Sequence, residues 1–77
     1  MTPVLILTKS KTVFIHLDKI IDNGKLVITN REGNIIFKKS ILFSFYEIIK
    51  LTGQQGGKYW LRIDSEKIKV KKSFQLK

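Results

Sequence analysis

The stretch Gly57-Lys58-Tyr59-Trp60-Leu61-Arg62-Ile63-Asp64-Ser65-Glu66-Lys67-Ile68-Lys69-Val70-Lys71-Lys72-Ser73-Phe74-Gln75-Leu76-Lys77 decides the fold class. Successive side chains of a strand point to opposite faces. Tyr59, Leu61 and Ile63 share one face here, and Lys58, Arg62 and Asp64 share the other. Alternation puts Tyr59 inward and Trp60 outward. After a tight break at Asp64-Ser65-Glu66 the pattern resumes. Ile68, Val70, Phe74 and Leu76 fall on one side, and Lys67, Lys69, Lys71 and Lys77 on the other. Lys72 falls on the apolar side. Either a bulge near Lys71–Ser73 turns it outward or its stem snorkels.

Working outward, the same grammar covers the rest of the chain. Ile, Val, Thr and aromatic residues are frequent, Ala is absent, and Pro3 is the one proline. Asp22-Asn23-Gly24 contains Asn-Gly, a strong hairpin signal because both residues tolerate positive φ. Asn30-Arg31-Glu32-Gly33-Asn34 reads as a second turn with Gly33 in the left-handed region. Gly53-Gln54-Gln55-Gly56-Gly57 is a third break. Strands are expected at Val4–Leu7, Thr12–Leu17, Lys25–Thr29, Asn34–Lys39, Tyr46–Leu51, Lys58–Asp64 and Lys67–Leu76. Ser40 to Thr52 is open between strand plus loop and helix: a Ser cap and a stripe of Ile41, Leu42, Phe45, Ile48 and Ile49 fit a helix. Its isoleucines and aromatics, which lose rotamer freedom there, favour the strand. Six to seven short strands with turns every 8–12 residues is the pattern of a small β-sandwich. The expected core is Val13, Ile15, Leu17, Leu26, Ile28, Ile35, Phe37, Ile49, Leu51, Tyr59, Leu61, Ile63, Ile68, Val70, Phe74 and Leu76.

Composition narrows the function classes. Seventy-seven residues suggest one domain, residues 1–77, close to the size at which one core is only marginally stable. Fifteen Lys+Arg against six Asp+Glu leave a net charge of +9. An apolar content of 43% is too high for a disordered basic tail. With no cysteine there is no disulfide framework and no thiolate metal site. The start, Met1 to Lys9, lacks the pattern of a signal peptide, and no segment approaches the ~20 apolar residues of a membrane span.

Three pieces of Leu26 to Lys77 carry a family resemblance. Leu26-Val27-Ile28-Thr29-Asn30-Arg31-Glu32-Gly33-Asn34-Ile35-Ile36 resembles a strand–turn–strand written as apolar alternation, D-x-x-G, then an apolar pair. Ile49-Lys50-Leu51 resembles the strand that leads into a G-x-Y. Gly57-Lys58-Tyr59-Trp60-Leu61-Arg62-Ile63 resembles the G-x-Y-x-x-x-I strand that follows, with a final Lys-rich strand after it. Together they are similar to the small exported Bacteroidetes proteins of the DUF3244 family, and to the C-terminal sorting domain of type IX (Por) secretion. Asn30 stands where Asp is usual, Gln54-Gln55 where Leu-Pro is common, and the sorting domain's Pro-Asn-Pro entry is missing. The resemblance implies an immunoglobulin-like β-sandwich, an exported protein and no catalytic residues. A chain starting at Met1 fits the small exported proteins better than a cleaved cargo tail.

The residues themselves add few chemical candidates. His16 is the single histidine, and Asp18 shares its strand face. A general base needs a nucleophile or a reacting proton in reach, and one histidine without cysteine cannot make a usual zinc site. The six acids are scattered, with no glycosidase or calcium-loop spacing. Gly57-Lys58 is followed by Tyr59, so the glycine-rich stretch is no phosphate loop. Lys58, Trp60, Arg62, Lys67, Lys69 and Lys71 remain as a candidate binding surface. They suit an aromatic anchor or a stacking platform among cations. Lysines on an exposed strand also deter unwanted pairing and aid solubility.

The expected protein is a non-enzymatic exported interaction or structural module of the envelope, without cofactor or metal, binding an envelope component or protein. The alternative is a cytosolic polyanion-binding module built on an open barrel, with nucleic acid as ligand. A third reading is a secretion-sorting domain. Exposed sheet edges can also pair copies of the chain or swap a strand between them.

Overall fold

A computed structural model describes residues 4–66 and 68–77. It is all-β: β1 (Val4–Lys9), β2 (Thr12–Thr29), β3 (Ile35–Lys50), β4 (Gly57–Ser65) and β5 (Lys69–Leu76), every pairing antiparallel. β2 and β3 are long enough to serve two layers. The first half of β2 pairs with β1 and with the second half of β3. The second half of β2 pairs with the first half of β3 and with β4, which carries β5. The seven segments expected from alternation are thus five continuous strands, two of them bent.

The bend has a visible cause. Pairing jumps from His16↔Tyr46 to Ile21↔Ser44, so residues 17–20 of β2 stand against Phe45 alone. Extra residues on one strand bend it and raise its twist, and strands cross between layers at such corners. Phe43, two residues before Phe45 in β3, takes a left-handed backbone, φ 48°. Two sequence expectations are corrected here. Asp22-Asn23-Gly24 is no hairpin turn but part of β2, and the break expected between the strands Asn34–Lys39 and Tyr46–Leu51 is no loop but part of β3. The strand reading of Ser40–Thr52 holds as far as Lys50. Gly24 is needed for room: a Cβ there would lie 2.8 Å from the Asp64 carbonyl oxygen of β4.

The turns use other chemistry. Ser10 and Lys11 both have positive φ (52° and 63°), a two-residue hairpin that neither Gly nor Asn announces. Asn30 builds the β2–β3 turn as expected. Its Oδ1 accepts from the amides of Glu32 and Asn34, and Gly33 sits at φ 86°. Ser65 Oγ accepts from the Ile68 amide across the last turn. The Gly53–Gly57 loop is held by Lys11 Nζ on the Gln54 carbonyl and by Tyr59 OH on that of Gln55.

Between the layers lies the core. Val4, Val13, Ile15, Leu17, Ile49 and Leu51 come from one sheet, and Ile21, Leu26, Ile28, Ile41, Tyr59, Leu61, Ile63, Phe74 and Leu76 from the other. Most expected core residues are here; Phe37, Ile68 and Val70 are partly buried at its margin. Ile35 is an error of parity: a register shift at Ile28/Thr29 pairs it with Thr29 and leaves it 58% exposed. Lys72 needs no bulge, because β4–β5 pairing is unbroken. Its stem follows the inner face opposite Leu61, and Nζ donates to the Val4 carbonyl at 3.0 Å. Thr8 Oγ1 donates to the Gln75 carbonyl at 2.7 Å, so β1 and β5 close one side of the sandwich.

Candidate interaction surfaces

The candidate surface read from sequence lies on the outer face of the larger sheet. Lys58, Trp60, Arg62 and Asp64 alternate outward on β4, opposite Gln75, Ser73, Lys71 and Lys69 of β5. Trp60 is half-buried, with Lys58 Nζ 5.1 Å and Lys71 Nζ 5.3 Å from its ring centre. A cation over an indole face is attracted by the ring quadrupole, and the lysine stems cover its apolar surface. Arg62 Nε lies 3.3 Å from Asp64 Oδ2, an exposed pair. On β2, Val27 stands beside Arg62 in register and is buried on this outer face. Lys67 lies outside the described residues. The other five candidates share one face, and Trp60 is wrapped by two of them.

The smaller sheet carries a second surface that alternation arguments missed. Three strands in register make three rows on its outer side. Leu5, His16 and Tyr46 form the first; Leu7, Phe14 and Ile48 the second; Lys9, Thr12 and Lys50 the third. Leu5, Leu7 and Ile48 are all more than half exposed. The His16 ring lies 5.0 Å from that of Tyr46 and 6.3 Å from that of Phe45. A concavity of about 450 Å³ opens among Leu5, Leu7, Phe14, His16, Phe45 and Tyr46. Contiguous exposed apolar surface of this kind marks interaction sites. A signal existed in the sequence: Val4-Leu5-Ile6-Leu7, Val13-Phe14-Ile15 and Ile48-Ile49 are apolar on both parities. A two-layer protein can bury only one of them.

One charge pair lies between the layers. The Glu47 carboxylate is nearly buried, and its Oε1 accepts from Lys39 Nζ at 2.6 Å while Oε2 accepts from Ser44 Oγ. Burial pushes the carboxyl up, but the hydrogen bonds from Lys39 and Ser44 and the charge of Lys39 outweigh it. The group is held below its ordinary range. Among the described residues no three His, Asp or Glu side chains gather to hold a metal. His16 has aromatic neighbours on both counts and belongs to the apolar face.

Two bent strands shared by two packed antiparallel sheets define an immunoglobulin-like β-sandwich. No protein-family model matches the chain, and no curated protein matches it. Among solved structures it is similar to a DUF3244 family protein from Bacteroides vulgatus ATCC 8482 described as having an immunoglobulin-like β-sandwich fold. The TM-score is 0.81 at 16% identity, covering 99% of this chain and 85% of that one. This is the fold that the Leu26–Lys77 resemblance implied. No helix among the described residues is long and apolar enough to cross a membrane.

Proposed function

We propose that the protein is a non-enzymatic, exported interaction module of the cell envelope that engages another protein through the outer face of the β1–β2–β3 sheet. One observation carries this reading: Leu5, Leu7, Phe14, Tyr46 and Ile48 form two register-locked apolar rows with three members more than half exposed. Exposing such a patch costs solubility. The fold supplies a rigid frame, and the resemblance of Leu26–Lys77 to small exported proteins supports export as the setting.

The test is site-specific photo-crosslinking in the native host. A probe at position 7 or 48 should capture a protein partner, and a probe at position 25 or 69 should not. Equal labelling from all four positions, or none, would count against the assignment. Cell fractionation checks the export part separately.

A second reading rests on a different observation, the indole of Trp60 held between Lys58 and Lys71. That face suits a polyanion, with phosphates or sulfates on the cations and an aromatic ring for stacking.

A further inference from the structure

The apolar face runs out to an open edge. β3 pairs with β2 and with no other strand among the described residues. The remaining edges, β1 and β5, face each other and are tied by Thr8 and Lys72. An edge strand presents unpaired N–H and C=O groups to any incoming strand. The first half of β3 is a poor host, since it carries Lys38 and Lys39 and ends at the left-handed Phe43. The second half is regular, its pairing with β2 unbroken from His16↔Tyr46 to Thr12↔Lys50; at Tyr46 an incoming strand has to displace the Ser44 hydroxyl, which donates to the Tyr46 carbonyl at 3.0 Å and accepts from its amide at 3.4 Å. Its one inward charge, Glu47, is already taken up by Lys39 and Ser44.

The outward side chains of this edge have an order: Tyr46, Ile48, Lys50. Lys9 and Lys50 end the apolar rows with charge, and neither forms an ion pair among the described residues. The whole chain carries +9. A second copy is therefore a poor occupant. Two copies paired about Ile48 would set each Lys50 against Tyr46, bring no carboxylate to either lysine and add like charge. The complement of the edge is acidic.

We propose that the Tyr46–Lys50 edge receives, by antiparallel strand addition, an extended segment of an acidic partner protein. Read from its N-terminus, that segment is carboxylate, any residue, apolar, any residue, apolar. The carboxylate meets Lys50, and the two apolar side chains meet Ile48 and Tyr46 at cross-strand distance. Main-chain hydrogen bonds supply affinity, and the alternating side chains supply order. The inference rests on the apolar face being the docking surface and adds strand pairing and a direction to it.

The experiment titrates the isotope-labelled protein with end-blocked synthetic peptides and follows its amide resonances. The probe is Glu-Thr-Val-Thr-Val-Thr. Expected are shifts and slowed amide exchange concentrated at residues 46–50. The peptide with Lys in place of Glu should bind about fivefold more weakly, the scale of an exposed ion pair. Lys50→Glu should reverse that preference, a result that loss of folding cannot mimic. N-methylation of the peptide amides that face β3 should abolish binding while leaving every side chain in place. Shifts absent from 46–50, or unchanged binding of the methylated peptide, would overturn strand addition. The second of these results would leave the apolar-face reading intact. Self-association in sedimentation that moves the 46–50 resonances would replace the acidic partner with a second copy.

Discussion

Lys39 and Glu47 belong to the same strand but to different sheets: they lie on opposite sides of the left-handed Phe43 and meet at 2.6 Å across the open side of the sandwich. The pair ties the two halves of β3 together on the side where no other strand of the described residues covers them. Its balance decides its worth. The carboxylate is nearly buried, while the lysine remains 45% exposed and can return to water if its partner is lost.

Removing the carboxylate should therefore cost less than breaking a fully buried pair. Glu47→Gln is expected to lose about 1–2 kcal/mol near neutral pH, the scale of a charge-assisted hydrogen bond. The pH dependence has a definite sign. The folded carboxyl is held below its unfolded value, so its contribution is complete above the ordinary carboxylate range. It fades as pH falls through the lowered folded value. The gap between wild type and Glu47→Gln in urea midpoints should be wide near neutrality and close in acid. A constant gap would mean that the glutamate acts only by packing.

Gly24 and Gly33 separate two reasons for glycine. At Gly33 a Cβ meets nothing within 4 Å, but φ is 86°; at Gly24 a Cβ meets the Asp64 carbonyl oxygen at 2.8 Å. Gly33→Ala should cost roughly 1–2 kcal/mol from conformation alone, and Gly33→Asn should recover much of it. Gly24→Ala should cost about 1–3 kcal/mol, as forced overpacking does, because backbone must move. Gly24→Asn should be worse still. Denaturation midpoints of the four variants decide it. Recovery at position 24 by Asn would restore the hairpin-turn explanation.

The contrast shows what was legible. Alternation located all seven segments and most of the core, because burial of one face leaves a period of two in the chain. It could not tell a turn from a bend. Asn23-Gly24 has the same composition whether the chain reverses there or lets β4 pass close by. The Ser10-Lys11 turn was silent because both residues adopt positive φ without being glycine or asparagine. Of the candidate surface, the parity of Lys58, Trp60 and Arg62 was readable from β4. The apolar face was signalled only as a surplus: both parities of Val4–Leu7 have the same character, so which of them faces outward was not readable. Only pairing reveals which parity lies inside.

Ile41 and Leu42 test the bent-strand description directly. Ile41 is fully buried in register with Gly24, and its neighbour Leu42 is 65% exposed. Ile41→Ala should cost about 2–5 kcal/mol through transfer and cavity terms. Leu42→Ala should stay within about 0.5 kcal/mol of wild type. A helix over this segment would put both residues on one stripe and make the two losses comparable. Thermal or urea unfolding of the pair distinguishes the cases.

Trp60 reports on the basic face by itself, because it is the sole tryptophan of the chain. Its ring lies 5.1 Å from one ammonium and 5.3 Å from another, so an anion that draws Lys58 or Lys71 away changes its surroundings. With a single-stranded oligonucleotide at low salt, emission should shift on binding. The log affinity should fall against log salt by about 0.7 for each phosphate engaged. Lys71→Gln should lower that slope by about 0.7, and Leu7→Gln should leave it alone. An emission spectrum that does not move at low salt would remove the polyanion reading. Lys58 and Lys71 would then serve as stems that shield Trp60, and Lys69 and Lys71 as charge that discourages pairing.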